Sequence, residues 1–182
     1  GGWLGATEGL TVLHGHARLL GRDAVEVDGT RHEAPLIVLD VGGRPSLPDF
    51  PGVGTVPQLT SSTILDLTAL PRHLVVVGGS YVGLEFAQMF RRFGAAVTVV
   101  ERAPRLVPRE DEATSAALAA ILAAEGIAVR TGAECIALAP EGGGVRVSVA
   151  CAEGPPQVIG SHVLLAVGRV PNTDDLGLAA AG

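Results

Sequence analysis

Residues 73–101 constrain the fold of this chain more than any other stretch, and they read HLVVVGGSYVGLEFAQMFRRFGAAVTVVE. Leu74 to Val77 form a short apolar run rich in β-branched residues, which is typical of a buried parallel strand. After a turn of glycines and a serine, apolar residues recur at spacings of three and four from Tyr81 to Phe93, which predicts a helix. Val97 to Val100 predict a second buried strand, and Glu101 follows it directly. The stretch therefore predicts a strand, a glycine turn, a helix and a strand that ends in an acid.

The glycine turn adds a chemical prediction. Gly78, Gly79, Ser80 and Gly83 follow the pattern G-x-G-x-x-G, with Ser80 in place of the second glycine. The free N–H groups and the positive dipole end of the helix suit a pyrophosphate. Glu101 stands where a carboxylate accepts a hydrogen bond from an adenosine ribose hydroxyl. The unit therefore predicts dinucleotide binding; the alternative interpretation is a tight turn in an ordinary α/β domain, with Ser80 serving only as a helix cap.

The same spacing predicts which face of the helix is apolar. Gly83 is expected to let the helix pack closely on the sheet, and Gly94 is expected to end it. Five apolar residues recur along one face and are expected to turn inward: Val82, Phe86, Met89, Phe90 and Phe93.

Charge and hydropathy exclude several classes of protein. The net charge is −6 and no basic stripe is present, which argues against nucleic-acid binding. No apolar run reaches the ~20 residues that span a membrane, and no signal peptide opens the chain, so we expect a cytoplasmic protein without a membrane partner. His14, His16 and His32 lack a thiol or carboxylate at metal-binding spacing, so no metal site is expected. Cys135 and Cys151 are interpreted as two small buried thiols in a reducing compartment.

Two features of the composition indicate part of a longer protein. The only methionine is Met89, inside the predicted helix, and all 13 basic residues are arginine. We therefore expect the chain to be an excised piece with further domains elsewhere.

The segments before the glycine turn predict β structure and a connection. Residues 10–17, Ala24–Val27 and residues 33–40 predict three short strands of an antiparallel meander. Prolines and glycines across residues 41–59 disfavour both helix and central strand, which indicates an ordered connection. Thr60 to Leu67 predict one short helical turn.

After Glu101 the pattern returns to helix and then to strands. Asp111 to Glu125 predict an alanine-rich helix, with its acids at the N-terminus as the helix dipole prefers. Four more strands are predicted, at Ile127–Arg130, Cys135–Ala139, Val145–Ala150 and Ser161–Val167. The last crossover of the sheet is therefore expected to consist of β-strands, not of a helix.

The stretches VVVGGSYVGLEFAQMFRRFG and LLAVGRVPN resemble the nicotinamide-binding domain of the pyridine nucleotide–disulfide oxidoreductases, over nearly the whole chain. This family includes dihydrolipoamide dehydrogenase, glutathione reductase and mercuric reductase. The sequence of the glycine turn and predicted helix is most similar to that of mercuric-reductase-like members. The resemblance implies a Rossmann-like α/β fold for FAD and NAD(P) binding, with a parallel sheet and an antiparallel β-meander crossover. It implies a β-rich piece of an FAD domain at residues 1–45, a connection at 46–70, an NAD-binding domain at 71–168 and a return segment toward the FAD domain at 169–182.

The resemblance also implies roles for single residues. Tyr81 matches the ring that covers the flavin until nicotinamide displaces it, and Glu85 matches a carboxylate that contacts the nicotinamide amide. The alternatives are a packed aromatic at the helix start and a solvated helix residue. The candidate cofactor-binding residues are therefore Gly78, Gly79, Ser80, Tyr81, Val82, Gly83, Glu85, Glu101, Arg102 and Gly168.

The resemblance implies NAD(H) as the ligand of this chain, and FAD as a cofactor of a full-length homodimeric enzyme that passes hydride from NAD(P)H to flavin. NAD(H) is expected to be preferred over NADP(H), because Glu101 would face the 2′-phosphate. Arg102, Arg105 and Arg109 are interpreted as solvated loop charges. The chain has no C-x-x-x-x-C and no lysine to pair with Glu85, so no catalytic residue is assigned and the chain alone is expected to be inactive. A nucleotide-binding module without chemistry, and an NADH-dependent flavoprotein without the disulfide, remain as alternatives.

Overall fold

The computed structural model describes residues 2–150 and 154–182. In chain order the first elements are α1 (Gly2–Gly5), β1 (Ala17–Leu19), β2 (Ala24–Val27), β3 (Thr30–Glu33), β4 (Gly43–Pro45), β5 (Gln58–Leu59), a 3-10 turn (Ile64–Asp66), β6 (His73–Val77), α2 (Tyr81–Arg92) and β7 (Ala96–Val100). They are followed by α3 (Glu112–Ala124), β8 (Ala128–Arg130), β9 (Glu134–Glu141), β10 (Gly144–Ala150), β11 (Gln157–Gly160), β12 (His162–Leu165), β13 (Arg169–Pro171) and α4 (Leu178–Ala181).

The chain divides into two compact units. One contains the residues described up to Arg44 together with Pro171–Gly182, and the other is Pro45–Val170. The predicted α/β class with a parallel sheet is confirmed. The prediction of two buried thiols falls outside the described part of the chain, which leaves out the side chain of Cys135 and all of Cys151.

The first unit contains the predicted antiparallel meander, in the order β1-β2-β3, but two of its strands lie elsewhere than predicted. The third strand is Thr30–Glu33 rather than residues 33–40, because the two-residue turn at Asp28 and Gly29 pairs Val27 directly with Thr30. The first strand is Ala17–Leu19 rather than residues 10–17, because β2 is only four residues long and pairs with no earlier residue. Sequence alternation located the meander but not its register.

The second unit is built on a five-stranded parallel sheet in the order β5-β12-β6-β7-β8. The central strand β6 is buried over Leu74 to Val77, each at most 2% exposed. Burying a valine or leucine side chain contributes roughly 1.5–3 kcal/mol, so this strand contributes strongly to the core. Four strands of the chain escaped prediction. Strands β4 and β5 lie inside the expected connection, β11 completes a β9-β10-β11 meander, and β13 follows β12.

The two faces of the sheet are covered by different layers. Leu74 and Val76 pack in one core cluster with residues of α2 and α3, such as Leu84 and Leu122. Val75 and Val77 point the other way, into a cluster with the β9-β10-β11 meander. Since successive side chains of a strand alternate between faces, β6 is apolar on both sides, as a central parallel strand requires.

The predicted inner face of α2 is wrong in part. The buried residues of the helix are Gly83, Leu84, Ala87 and Phe90, while Phe93 is 64% exposed. Val82, Phe86 and Met89 are only partly buried. The reason is the close approach to the sheet, which admits glycine and alanine at the nearest positions and moves the larger side chains to the flanks.

The side chain of Asp111 caps the N-terminus of helix α3. The Asp111 carboxylate accepts hydrogen bonds from the Thr114 N–H at 2.7 Å and from the Thr114 hydroxyl at 2.9 Å. These bonds, the backbone one first, hold the pKa of Asp111 below its usual value. Such a carboxylate satisfies an N–H group that has no partner within the helix.

We expect Asp111→Ala to lower the melting temperature by about 2–4 °C at neutral pH, since a cap of typical strength is lost. A depressed pKa means that the contribution is present above the usual pKa of aspartate and is lost as pH falls through the lowered value. The difference from wild type should therefore narrow in acid, as measured by circular dichroism. The control is Glu112→Ala, which removes the same charge one residue later; equal melting losses for the two variants at neutral pH would contradict the capping role.

Candidate functional site

The candidate site lies at the carboxyl edge of the parallel sheet, within the Pro45–Val170 unit. The register places Val77 of β6 level with Val100 of β7 and with Leu165 of β12, so these three strands end together. In the sheet, β6 has β7, the next strand of the sheet in the sequence, on one side and β12, a much later strand, on the other. The strand order therefore reverses at β6, which makes this edge a topological switch point. A cavity of about 730 Å³ opens there, and Val77, Val100 and Leu165 line it.

The glycine turn is shaped by two close backbone approaches. Gly78 has φ +116°, and a Cβ there would lie 2.4 Å from the carbonyl oxygen of Ala166. A Cβ on Gly83 would lie 2.0 Å from the carbonyl oxygen of Gly78. Both distances are far inside van der Waals contact, so only glycine fits at either position. The turn therefore brings backbone N–H groups, rather than side chains, to the cavity.

The N-terminus of α2 presents free backbone donors. Ser80 occupies the N-cap position, but its side chain makes no capping hydrogen bond. The first hydrogen bond back into the helix start runs from the Leu84 N–H to the Ser80 carbonyl oxygen, at 3.0 Å. Within the described residues, the N–H groups of Tyr81, Val82 and Gly83 have no acceptor. Three free donors at the positive end of a helix dipole have the chemistry that favours an anion.

Glu101 connects the glycine turn to the loop after β7. One carboxylate oxygen accepts the Gly79 N–H at 2.5 Å, and the other accepts the Ala103 N–H at 2.6 Å. Sequence reasoning placed this acid at the end of the second strand but did not anticipate these bonds. A carboxylate has about four lone-pair sites, so two bonds leave capacity for a ligand hydroxyl. The acid therefore has a structural role and remains available to a ligand.

The loop between β7 and α3 is held against the glycine turn. The Val107 N–H donates to the Gly79 carbonyl oxygen at 2.9 Å, and Val107 is only 2% exposed. Arg105 donates to the carbonyl oxygens of Pro108 and Glu110, at 3.2 and 2.9 Å, so its guanidinium belongs to the loop. Two other cations line the cavity from this loop: Arg102 and Arg109.

Tyr81, the first residue of α2, lines the cavity and is half exposed. Its hydroxyl donates a hydrogen bond to Glu110 Oε1. That bond, more than any other cause, raises the pKa of Tyr81, and nearby Arg109 opposes the rise. The phenol is thus bonded across to the loop that carries Arg102 and Arg109.

Most of the predicted cofactor-binding residues converge on this cavity. Gly83 lies beneath the turn rather than in the cavity wall, and Glu85 is exposed on α2 outside the wall. The other eight line the cavity: Gly78, Gly79, Ser80, Tyr81, Val82, Glu101, Arg102 and Gly168.

Sequence reasoning missed part of the cavity wall. The missed residues come from the proline-rich segment, from β9 and from the chain that follows β12. They include Pro45, Ser46, Pro48, Asp49, Phe50, Ile136 and Val167. The density of prolines over residues 45–51 was the available signal, since such a segment holds a fixed path that can wall a site.

Comparison with known proteins gives consistent matches over the whole chain. The family described as pyridine nucleotide-disulphide oxidoreductase matches residues 2–182. A mercuric reductase of Streptomyces lividans is 38% identical, over 98% of this chain and 39% of its own length. A dihydrolipoyl dehydrogenase of Thermus scotoductus is 35% identical, over 100% of this chain and 40% of its own length. The HOCl-induced flavoprotein disulfide reductase RclA from Escherichia coli superimposes with a TM-score of 0.84 at 31% identity, over 98% of this chain and 41% of that one. The chain thus spans less than half the length of these relatives.

Proposed function

Because the chain belongs to the pyridine nucleotide-disulphide oxidoreductase family, we propose that its cavity binds NAD(H) and presents the nicotinamide for hydride transfer to a flavin. The family uses FAD and pyridine nucleotides as cofactors. The observation that carries the proposal is the set of free N–H groups at the start of α2, beside a carboxylate at the end of β7. A pyrophosphate and an adenosine ribose require these two groups side by side.

The glycine turn would hold the pyrophosphate. Backbone atoms take the space that a Cβ would fill at Gly78 and Gly83, so glycine is required at both positions for the turn to keep this path. Ser80 lines the cavity with an uncommitted hydroxyl, which adds one more donor. This arrangement suits a pyrophosphate, because the free N–H groups of Tyr81, Val82 and Gly83 lie at the positive end of the α2 dipole.

The two ends of the dinucleotide would meet different residues. Glu101 is assigned to the adenosine ribose and Arg102 to the outer edge of the same pocket, because both line it at the end of β7. Tyr81 and Gly168 line the cavity from α2 and from the chain after β12, and we assign them to the nicotinamide end. Glu85 lies one helical turn beyond Tyr81 but outside the cavity wall, so only the resemblance to the family supports its assignment to the nicotinamide amide.

A bound flavin would supply the hydride acceptor, and this chain's residues would bind and orient the donor. The cysteines of the chain, Cys135 and Cys151, do not form a C-x-x-x-x-C, so we assign the exchange with a disulfide or metal substrate to another part of the enzyme. We propose that the complete enzyme is a homodimer that contains FAD.

The proposal predicts that the 182-residue chain binds NADH weakly and FAD hardly at all, because the pyrophosphate site near the glycine turn is built within it. NADH fluorescence titration measures the NADH affinity, and the visible absorbance of flavin after gel filtration measures the amount of bound FAD.

Ser80→Ala should weaken NADH binding about twofold to tenfold without a change in melting temperature, since one exposed hydroxyl is removed. Stoichiometric yellow flavin in the purified chain, or an absence of NADH binding at millimolar concentration, would contradict the proposal.

A further inference from the structure

The side chain of Glu110 has a role that the nucleotide site itself does not explain. Glu110 lies in the loop between β7 and α3 and is outside the cavity wall, yet it accepts the hydrogen bond of the cavity residue Tyr81. We propose that Glu110 is a positioning residue, which holds the Tyr81 ring toward the loop and so keeps the cavity open for the dinucleotide. This inference rests on the proposed function, because it concerns the same cavity.

Glu110 is a well-supported anchor. Its carbonyl oxygen accepts from Arg105 at 2.9 Å, and its N–H donates to the carbonyl oxygen of Val107 at 2.8 Å. Val107 is buried and donates its own N–H to the Gly79 carbonyl oxygen. The acceptor is therefore fixed, through its backbone, to the same glycine turn from which Tyr81 projects. An anchor fixed to the turn holds the ring in one place relative to the pyrophosphate donors.

An unanchored ring would have a competing place to lie. The cavity wall includes apolar residues that keep some exposed surface: Val167, which is 39% exposed, and the partly buried Phe50 and Ile136. A phenol has an apolar body and a polar tip, and the body gains free energy by covering apolar surface. Without a partner for its hydroxyl, Tyr81 would fold toward this apolar part of the wall and occupy space that the dinucleotide needs. The bond to Glu110 opposes that movement.

The chain provides a direct optical report on this bond, because Tyr81 is its only tyrosine. An alkaline titration of tyrosinate absorbance follows one group. The bond to Glu110 is the first cause of the raised pKa of Tyr81, followed by the loss of hydration and the Glu110 charge, while Arg109 acts in the opposite direction. Glu110→Ala should shift the titration midpoint to lower pH, with circular dichroism confirming that the chain stays folded. An unchanged midpoint in the folded variant would overturn the inference.

NADH affinity then tests what the bond does. Glu110→Ala and Tyr81→Phe should each weaken NADH binding by about threefold to tenfold, and the double variant should be no weaker than either, since both remove one bond. Glu110→Gln, which keeps an acceptor oxygen, should restore most of the affinity. The control is Glu112→Ala, an exposed carboxylate nearby that has no bond to Tyr81.

The charge of Glu110 makes the outcomes separable. Removing a carboxylate near an anionic ligand should by itself tighten binding, so tighter NADH binding by Glu110→Ala would overturn the positioning role. Additive losses in the double variant would overturn it as well. Failure of the wild-type chain to bind NADH would instead overturn the proposed function and, with it, this use of Glu110; the tyrosine titration would still report whether the bond exists.

Discussion

A Gly83→Ala variant is expected to melt several degrees below the wild-type chain and to lose most of its NADH affinity. The added Cβ would lie 2.0 Å from the carbonyl oxygen of Gly78 and 3.3 Å from a methyl carbon of Val76. The first contact is with backbone, so α2 must move off the sheet or the glycine turn must open. Overpacking of this kind costs typically about 1–3 kcal/mol, which corresponds to roughly 2–12 °C for a chain of this size.

The affinity loss has a separate cause. Moving α2 displaces the N–H groups of Tyr81 and Val82 from the pyrophosphate position, even if the domain remains folded. Gly83→Leu should be worse on both measures because more volume must be accommodated. Two controls separate the effects: Ser80→Ala should keep the melting temperature, and Gly21→Ala should change neither measure, since a Cβ there meets nothing nearer than 3.6 Å. Equal melting losses for Gly83→Ala and Ser80→Ala would show that the close approach does not matter.

Preference for NADH over NADPH is the second large effect that we expect, at about tenfold to a hundredfold in affinity. Glu101 directly follows β7 and lines the cavity, where we assign the ribose 2′-position. A 2′-phosphate would bring a second anion beside it, and after solvent screening we estimate the repulsion at roughly 1–3 kcal/mol. Calorimetry with both nucleotides measures the difference.

The loop arginines act against this preference. Arg105 donates to carbonyl oxygens of its own loop, whereas Arg102 and Arg109 line the cavity. Arg102→Ala should therefore increase the preference for NADH, because it removes a cation that could pair with the phosphate.

Glu101→Ala should reduce the preference for NADH, because it removes the anion that repels the 2′-phosphate. It should also lower the melting temperature, since the N–H groups of Gly79 and Ala103 lose their acceptor. Equal affinities in the wild type, or tighter NADPH binding, would show that the arginines outweigh the acid.

Helices and strands whose positions are set by residues within or next to them could be predicted from the sequence. Strands β6 and β7 were located within one residue, because each is a contiguous β-branched run buried on both faces. Helix α3 was located equally well, because Asp111 and Gly126 are local start and stop signals. Elements that depend on a distant partner were missed. Strand β5 is two residues long and exists only through pairing with β12, and β11 follows two prolines and exists through pairing with β10.

The candidate site shows the same division. The glycine turn and Glu101 were predictable, because their spacing follows from one strand, one turn and one helix. The bonds of Glu101 to Gly79 and Ala103, and of Tyr81 to Glu110, were not, because they depend on where the loop after β7 folds back. The inner face of α2 was misjudged for a related reason: hydrophobicity selects phenylalanines, whereas the distance between helix and sheet selects Gly83 and Ala87.

We propose the cavity beside the glycine turn as the nucleotide site, and amide chemical shifts provide the most direct test of this assignment. An ¹⁵N-labelled sample of the chain, titrated with NADH, should show its largest shift changes at the N–H groups of residues 80–83 and at Glu101. Glycine-turn donors respond strongly when an oxyanion arrives, whereas β1, β2 and β3 should be unaffected. Changes concentrated in those three strands, or no changes at millimolar NADH, would contradict the account.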